Sequence, residues 1–172
     1  MTHFLAQFLL LTVSAALVKA VEVRLETLEC LAGDEETLVF FDLKLIGRER
    51  RLNGTIRFLI DLDDSVDSNG ELWTFKNGDW VKSNLKQQGK SCRIFNTFVI
   101  HYFQDALQKT EFPDPPCPLS KGEYPIRNLK LNGDSWPPYL GRGLTKVKFT
   151  FHKNGKMVGG IIFSMNLIDE NI

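Results

Sequence analysis

Apolar and polar residues alternate with period two over much of this chain. On residues 55–62, Ile56, Phe58, Ile60 and Leu62 share one face, and Thr55, Arg57 and Asp61 share the other. On residues 38–46, Val39, Phe41, Leu43 and Leu45 oppose Asp42 and Lys44. On residues 145–152, Val147, Phe149 and Phe151 oppose Lys146, Lys148, Thr150 and His152. On residues 157–167, Met157, Ile161, Phe163, Met165 and Leu167 oppose Ser164 and Asn166. Each pattern predicts a half-buried antiparallel strand. Asn77-Gly78, between Trp73/Phe75 and Trp80/Val81, predicts a hairpin. A second hairpin joins the last two strands. A two-residue turn at Asn154-Gly155 would set Phe151 against Val158 and Lys146 against Phe163. A three-residue loop, Lys153-Asn154-Gly155, sets Phe151 against Met157 and Val147 against Ile161, so that apolar faces agree. The longer loop, a type I turn with Gly155 left-handed, is therefore expected.

One segment changes period. Over residues 92–109, Phe95, Phe98, Val99, Tyr102, Phe103, Ala106 and Leu107 fall on one helical face. Arg93, Thr97, His101, Gln104 and Gln108 fall on the other, which predicts an amphipathic helix. Pro113, Pro115 and Pro116 stop its continuation. A further extended segment is expected over 123–131. The predicted fold is mainly β: an immunoglobulin-like two-sheet β-sandwich with one amphipathic helix.

The chain's beginning reads differently. Residues 4–17 are apolar except for Gln7, Thr12 and Ser14, and Val18-Lys19-Ala20 offers small residues around a cleavage site. The run is short for a membrane span and has no stop-transfer segment after it. Residues 1–20 are expected to be a signal peptide and residues 21–172 one secreted, extracellular domain. Lys+Arg and Asp+Glu are each 21 in the whole chain. The leader takes away one Lys and no acid, so the remainder is close to neutral and has no overall field to attract nucleic acid. Secretion makes a disulfide the natural reading of paired cysteines. Cys30, Cys92 and Cys117 allow one bridge. Cys92–Cys117 is the expected pair, and closing that loop would remove about 3–4 kcal/mol of unfolded-state freedom. Cys30 is then a buried free thiol or an intermolecular partner. No CxxC or paired-His spacing suggests a metal site.

The run from Asp61 to Glu71 resembles a calcium loop at first sight. With Gly70 at the sixth position, however, Ser65 stands first and Lys76 stands where a bidentate Glu is needed, so an acidic turn is expected. His101 and His152 lie on polar faces, and there is no G-x-S-x-G, H-E-x-x-H or phosphate loop. No catalysis, cofactor or metal is expected. Asn53-Gly54-Thr55 is a glycosylation sequon at an expected turn. The 13 Phe, 3 Trp and 3 Tyr can fill a core. A sandwich walled by Phe can also stay open and accept an apolar ligand.

Several elements together resemble a known group: Arg-Leu-Asn-Gly-Thr-Ile at 51–56, Lys-Ser-Cys92 before a helix, Pro-Pro-Cys-Pro at 115–118 and Lys-Gly-Glu-Tyr-Pro-Ile at 121–126. The chain resembles the insect CheB proteins, small secreted fly proteins similar to the ML (lipid-recognition) domain and the ganglioside activator. The resemblance spans nearly all of residues 21–172. It implies a sandwich with a hydrophobic cavity that binds a lipid or pheromone-like hydrocarbon. It also implies an accessory role in contact chemosensation beside a membrane receptor or channel. Cys92 and Cys117 match the family's paired cysteines. Many relatives carry another cysteine near Phe41, where Phe40-Phe41-Asp42 has none. Expected cavity-lining side chains are Phe58 and Phe149, opposite charged faces, Phe163 on the last strand, Trp73 on its hairpin arm and Phe98 on the helix stripe. The chain is expected to act as a monomer. The rival expectation is a secreted interaction domain with a filled core that acts on a receptor through its surface. A ligand-sized cavity separates the two.

Overall fold

Residues whose side chains alternate in polarity become strands because a sheet buries one face and leaves the other wet. The computed structural model describes residues 21–108, 110–134, 136 and 140–169. The leader expected at 1–20 lies outside the described residues. The strands are β1 (Val21–Leu31), β2 (Val39–Ile46), β3 (Arg51–Phe58), β4 (Val66–Lys76), β5 (Asp79–Lys90), β6 (Gly122–Leu129), β7 (Gly143–Lys153) and β8 (Lys156–Asp169). They pair antiparallel in two sheets, β1-β8-β7-β4-β5 and β2-β3-β6. This is the two-sheet sandwich that the alternation predicts.

The helical segment 91–108 follows β5. It consists of α1 (Ser91–Ile94), a π-helical stretch (Phe95–Val99) and α2 (Ile100–Gln108), with a break in helical geometry at Phe103. Its start is pinned by the disulfide Cys92–Cys117, whose Cα atoms are 5.1 Å apart. Close by, Leu62 and Leu119 exchange backbone hydrogen bonds of 2.8 and 3.0 Å, and both side chains are fully buried. The bridge and this pair tie the segment after β3 and the segment before β6 to the foot of the helix.

The β7–β8 hairpin corrects the expected loop. Lys153 pairs with Lys156, so the turn is the two residues Asn154-Gly155, both left-handed at φ 53° and 79°. The face mismatch foreseen for this turn is removed by a bulge. His152 faces Met157, Phe151 faces Gly159, and the ladder then runs with Phe149 opposite Ile161 and Val147 opposite Phe163. One extra residue on β8 restores apolar against apolar. It also turns Val158 inward, and its carbonyl accepts a hydrogen bond from Leu38 N at 2.8 Å. Gly159 is required beside it. Its φ is 141°, and a Cβ there would lie 2.2 Å from the Val39 carbonyl oxygen. The strand expected over 55–62 ends at Phe58, so Ile60 and Leu62 pack in the core from outside the ladder.

Candidate functional site

The inner face of the large sheet sets the site. On β7, Val147, Phe149 and Phe151 point between the sheets, while Lys146 and Lys148 point out. Phe151 is 1% exposed. Its ring lies 5.2 Å from Phe149, 6.0 Å from Phe58, 6.1 Å from Phe41 and 6.3 Å from Phe95, centroid to centroid. This aromatic cluster closes one end of the sandwich.

Beyond it the interior opens. Val147, Phe149 and Phe163 face inward yet remain only half-buried, as do Leu43 and Ile56 on the opposite sheet. Side chains that face another sheet and still keep accessible surface must border unfilled space. That space is a cavity of about 330 Å3. Phe98, Val99 and Tyr102 of the helical segment roof it. The π-helical stretch lies in this roof, and such turns recur at functional sites. Gly70 on β4 keeps the wall thin, since a Cβ there would already stand 3.4 Å from the Phe149 ring.

Of the lining residues, Leu85, Lys86 and Gln87 are exposed, and all three lie on the edge strand β5. They mark the mouth, between β5 and the helical roof. Of the polar residues bordering the wall, Gln87 shares the inward face of Gly70, which it opposes, whereas Glu71 and Lys86 oppose one another on the outward face of the sheet. The Glu71 carboxylate accepts a hydrogen bond from the Lys82 ammonium, and the Thr110 hydroxyl donates to Leu107 O at 2.7 Å.

Phe58, Phe98, Phe149 and Phe163 border the cavity, with Phe58 at its closed end. Trp73 does not. It pairs with Lys146 on β7 and faces outward, where the Lys82 and Lys146 ammonium groups stand 5.3 and 5.4 Å from its ring centre. The inward position is Leu72, opposite Val147. In the sequence, Leu72-Trp73 puts apolar residues on both faces. The deciding signal was Glu71, two residues back, which shares the face of Trp73.

Other expected sites move as well. Asn53 is not in a turn: the turn is at 47–50, and Asn53 lies within β3 opposite Lys44. Its Oδ1 accepts a hydrogen bond from Asn128 N at 3.4 Å. Cys30 is free but exposed rather than buried, and its Sγ lies against the Phe41 carbonyl. Partial loss of water raises the thiol's pKa above its ordinary value, and the Asp42 and Glu29 carboxylates push the same way. The acidic run is a turn followed by a strand. Asp63 Oδ1 accepts from Ser65 N at 2.7 Å, and the Ser65 side-chain hydrogen bond, with this backbone bond after it, holds the Asp63 carboxyl below the usual range. Asp67 and Glu71 belong to β4 and pair with Lys90 and Lys82. Among the described residues, no group of three His, Cys, Asp or Glu could hold a metal. Nor is any helix there long and apolar enough to cross a membrane. His101 is exposed, and His152 is half-buried with Nε2 3.0 Å from Thr150 Oγ1.

Compared with known proteins, the chain matches no family model, and no curated protein matches it.

Proposed function

We propose that this chain is a secreted carrier or presenter of an apolar small molecule, a lipid or hydrocarbon held between its sheets. The observation that carries the reading is the cavity of about 330 Å3, within the range of small-molecule sites. Its wall is aromatic and aliphatic, with polar groups collected largely at the mouth. Binding is non-covalent. An alkyl chain enters beside β5, and each Å2 of apolar surface removed from water contributes about 25 cal/mol against the costs of association. The apolar leader pattern at 1–20 and the bridge Cys92–Cys117 support secretion. The contact of Cys30 with Phe41 supports the CheB resemblance, because relatives carry a second cysteine near that position. An accessory role in contact chemosensation rests on the resemblance alone.

A titration with a neutral naphthylamine probe, whose fluorescence rises in apolar surroundings, tests the carrier reading. Wild type should bind it saturably at one site. Val147→Phe, which places a larger side chain in the cavity, should bind it at least tenfold more weakly while melting within a few degrees of wild type. Absence of binding to well-folded wild type would leave a surface-acting interaction domain as the account. The exposed Phe75, Trp80 and Val81 of the β4–β5 hairpin would then be its natural contact surface.

A further inference from the structure

The β4–β5 hairpin ends in an apolar tip that the rest of the fold leaves bare. The ladder from β4 to β7 stops at Thr74 and Thr145, whereas the ladder from β4 to β5 runs on to Lys76 and Asp79. From Phe75 to Trp80 the hairpin therefore pairs only with itself. Phe75, Trp80 and Val81 are all exposed there. Phe75 opposes Trp80, their ring centres 5.2 Å apart, on the outward face that Trp73 shares. Val81 opposes Thr74 and points to the other face. The tip is thus apolar on both sides, and its two charges, Lys76 and Asp79, oppose one another. Behind the tip the outward face of the sheet is basic. Lys82 and Lys146 flank Trp73, and Lys146 Nζ also lies 4.5 Å from the Trp80 ring centre. One row further from the tip, Lys86 and Lys148 flank Glu71, which pairs with Lys82. Among the described residues, Lys86, Lys146 and Lys148 make no ion pair.

We propose that this hairpin docks the protein on an anionic lipid bilayer: Phe75, Trp80 and Val81 enter the interface, and Lys82, Lys86, Lys146 and Lys148 lie against the headgroups. The idea goes beyond the carrier reading and does not need it. A protein partner presents one surface and would cover one face of the hairpin, whereas a bilayer interface surrounds a tip that is apolar on both faces. The reach fits. Two residues of strand beyond the last β7 pair span roughly 7 Å, and interfacial segments bury their apolar face about 5–10 Å deep. The side chains fit as well. Indole rings settle at the headgroup level, with an apolar body and a polar N–H. Lysine stems lie along apolar surface while their ammonium groups stay with water and phosphate. Each Lys near an anionic surface strengthens binding about fivefold, an effect that salt screens. The three ammonium groups without a carboxylate partner supply that attraction.

Co-sedimentation with vesicles of phosphatidylcholine, alone or with about a third phosphatidylserine, tests the docking. Wild type should bind the anionic vesicles at least tenfold more tightly than the neutral ones, and high salt should remove the difference. Phe75→Ala combined with Trp80→Ala should weaken binding to the anionic vesicles at least tenfold while the melting transition stays within a few degrees of wild type. Lys146→Glu combined with Lys148→Glu should weaken binding to anionic vesicles at least tenfold and to neutral vesicles less than twofold. Val147→Phe, which fills the cavity, should bind vesicles as wild type does, so that docking and carriage fail separately. Equal binding of wild type to both vesicles, or binding indifferent to the hairpin substitutions, would overturn the proposal. Absence of vesicle binding by well-folded wild type would also overturn it and leave the patch to an acidic protein surface.

Discussion

The large sheet contains two hairpins built on the same dipeptide. Asn77-Gly78 and Asn154-Gly155 are both two-residue turns with both residues left-handed, at φ 53° and 89° in the first and 53° and 79° in the second. Their surroundings are opposite. Behind Asn154-Gly155 lie Phe151, Val158 and Ile161, all buried. Behind Asn77-Gly78 lie Phe75, Val81 and Leu85, which are 42%, 48% and 54% exposed. The turn is local chemistry and comes out the same twice. Burial depends on what lies across the sandwich. The three-stranded sheet reaches the β1 and β8 side, where β2 packs against both. The β5 side is left to the helical roof, and there the interior stays open.

Substitutions can break this contrast or sharpen it. Phe151→Ala should have the largest effect, about 3–5 kcal/mol lost in chemical denaturation, because it empties the centre of the aromatic cluster. Gly159→Ala should cost about 2–3 kcal/mol, combining a strained positive φ with a collision at the Val39 carbonyl. Gly155→Ala should cost about 1–2 kcal/mol of global stability through left-handed strain alone. The same change at Gly78 should shift global stability by less than about 0.5 kcal/mol, since the exposed hairpin can fray without opening the core. Amide exchange would then show the loss confined to the β4–β5 tip. Smallest of all, Phe75→Ala should fall within about 0.5 kcal/mol of wild type in the same denaturation experiment. Equal losses at Gly78 and Gly155 would show that the two hairpins are equally part of the folded core.

The same contrast explains what could be read in the sequence. Strand identity was legible because charge alternates against Val and Phe, most clearly in Lys146-Val147-Lys148-Phe149. Face parity on β7–β8 was legible too, and it excluded an unbulged two-residue turn. What parity cannot tell is whether a longer loop or a bulge supplies the extra residue. Val158-Gly159 supplies it because β2 crosses there and needs the Val158 carbonyl. Trp73 was misplaced because neighbouring apolar residues point to both faces, and pairing with Lys146 decides between them. Asn53 was misplaced because its turn ends at Arg50, just before the strand begins. Openness of the interior is not written in alternation at all. It follows from a sheet of five strands opposed by a sheet of three, with a helix as the remaining cover.

Calorimetric titration of the neutral naphthylamine probe into the folded protein at several temperatures tests the central claim most directly. The account predicts saturation at one ligand per chain with a negative heat-capacity change, the mark of apolar surface leaving water. Val147→Phe should abolish that signal while the protein keeps its cooperative melting transition. A wild-type protein that melts cooperatively but takes up no probe, or takes it up equally well with Val147→Phe in place, would contradict the account.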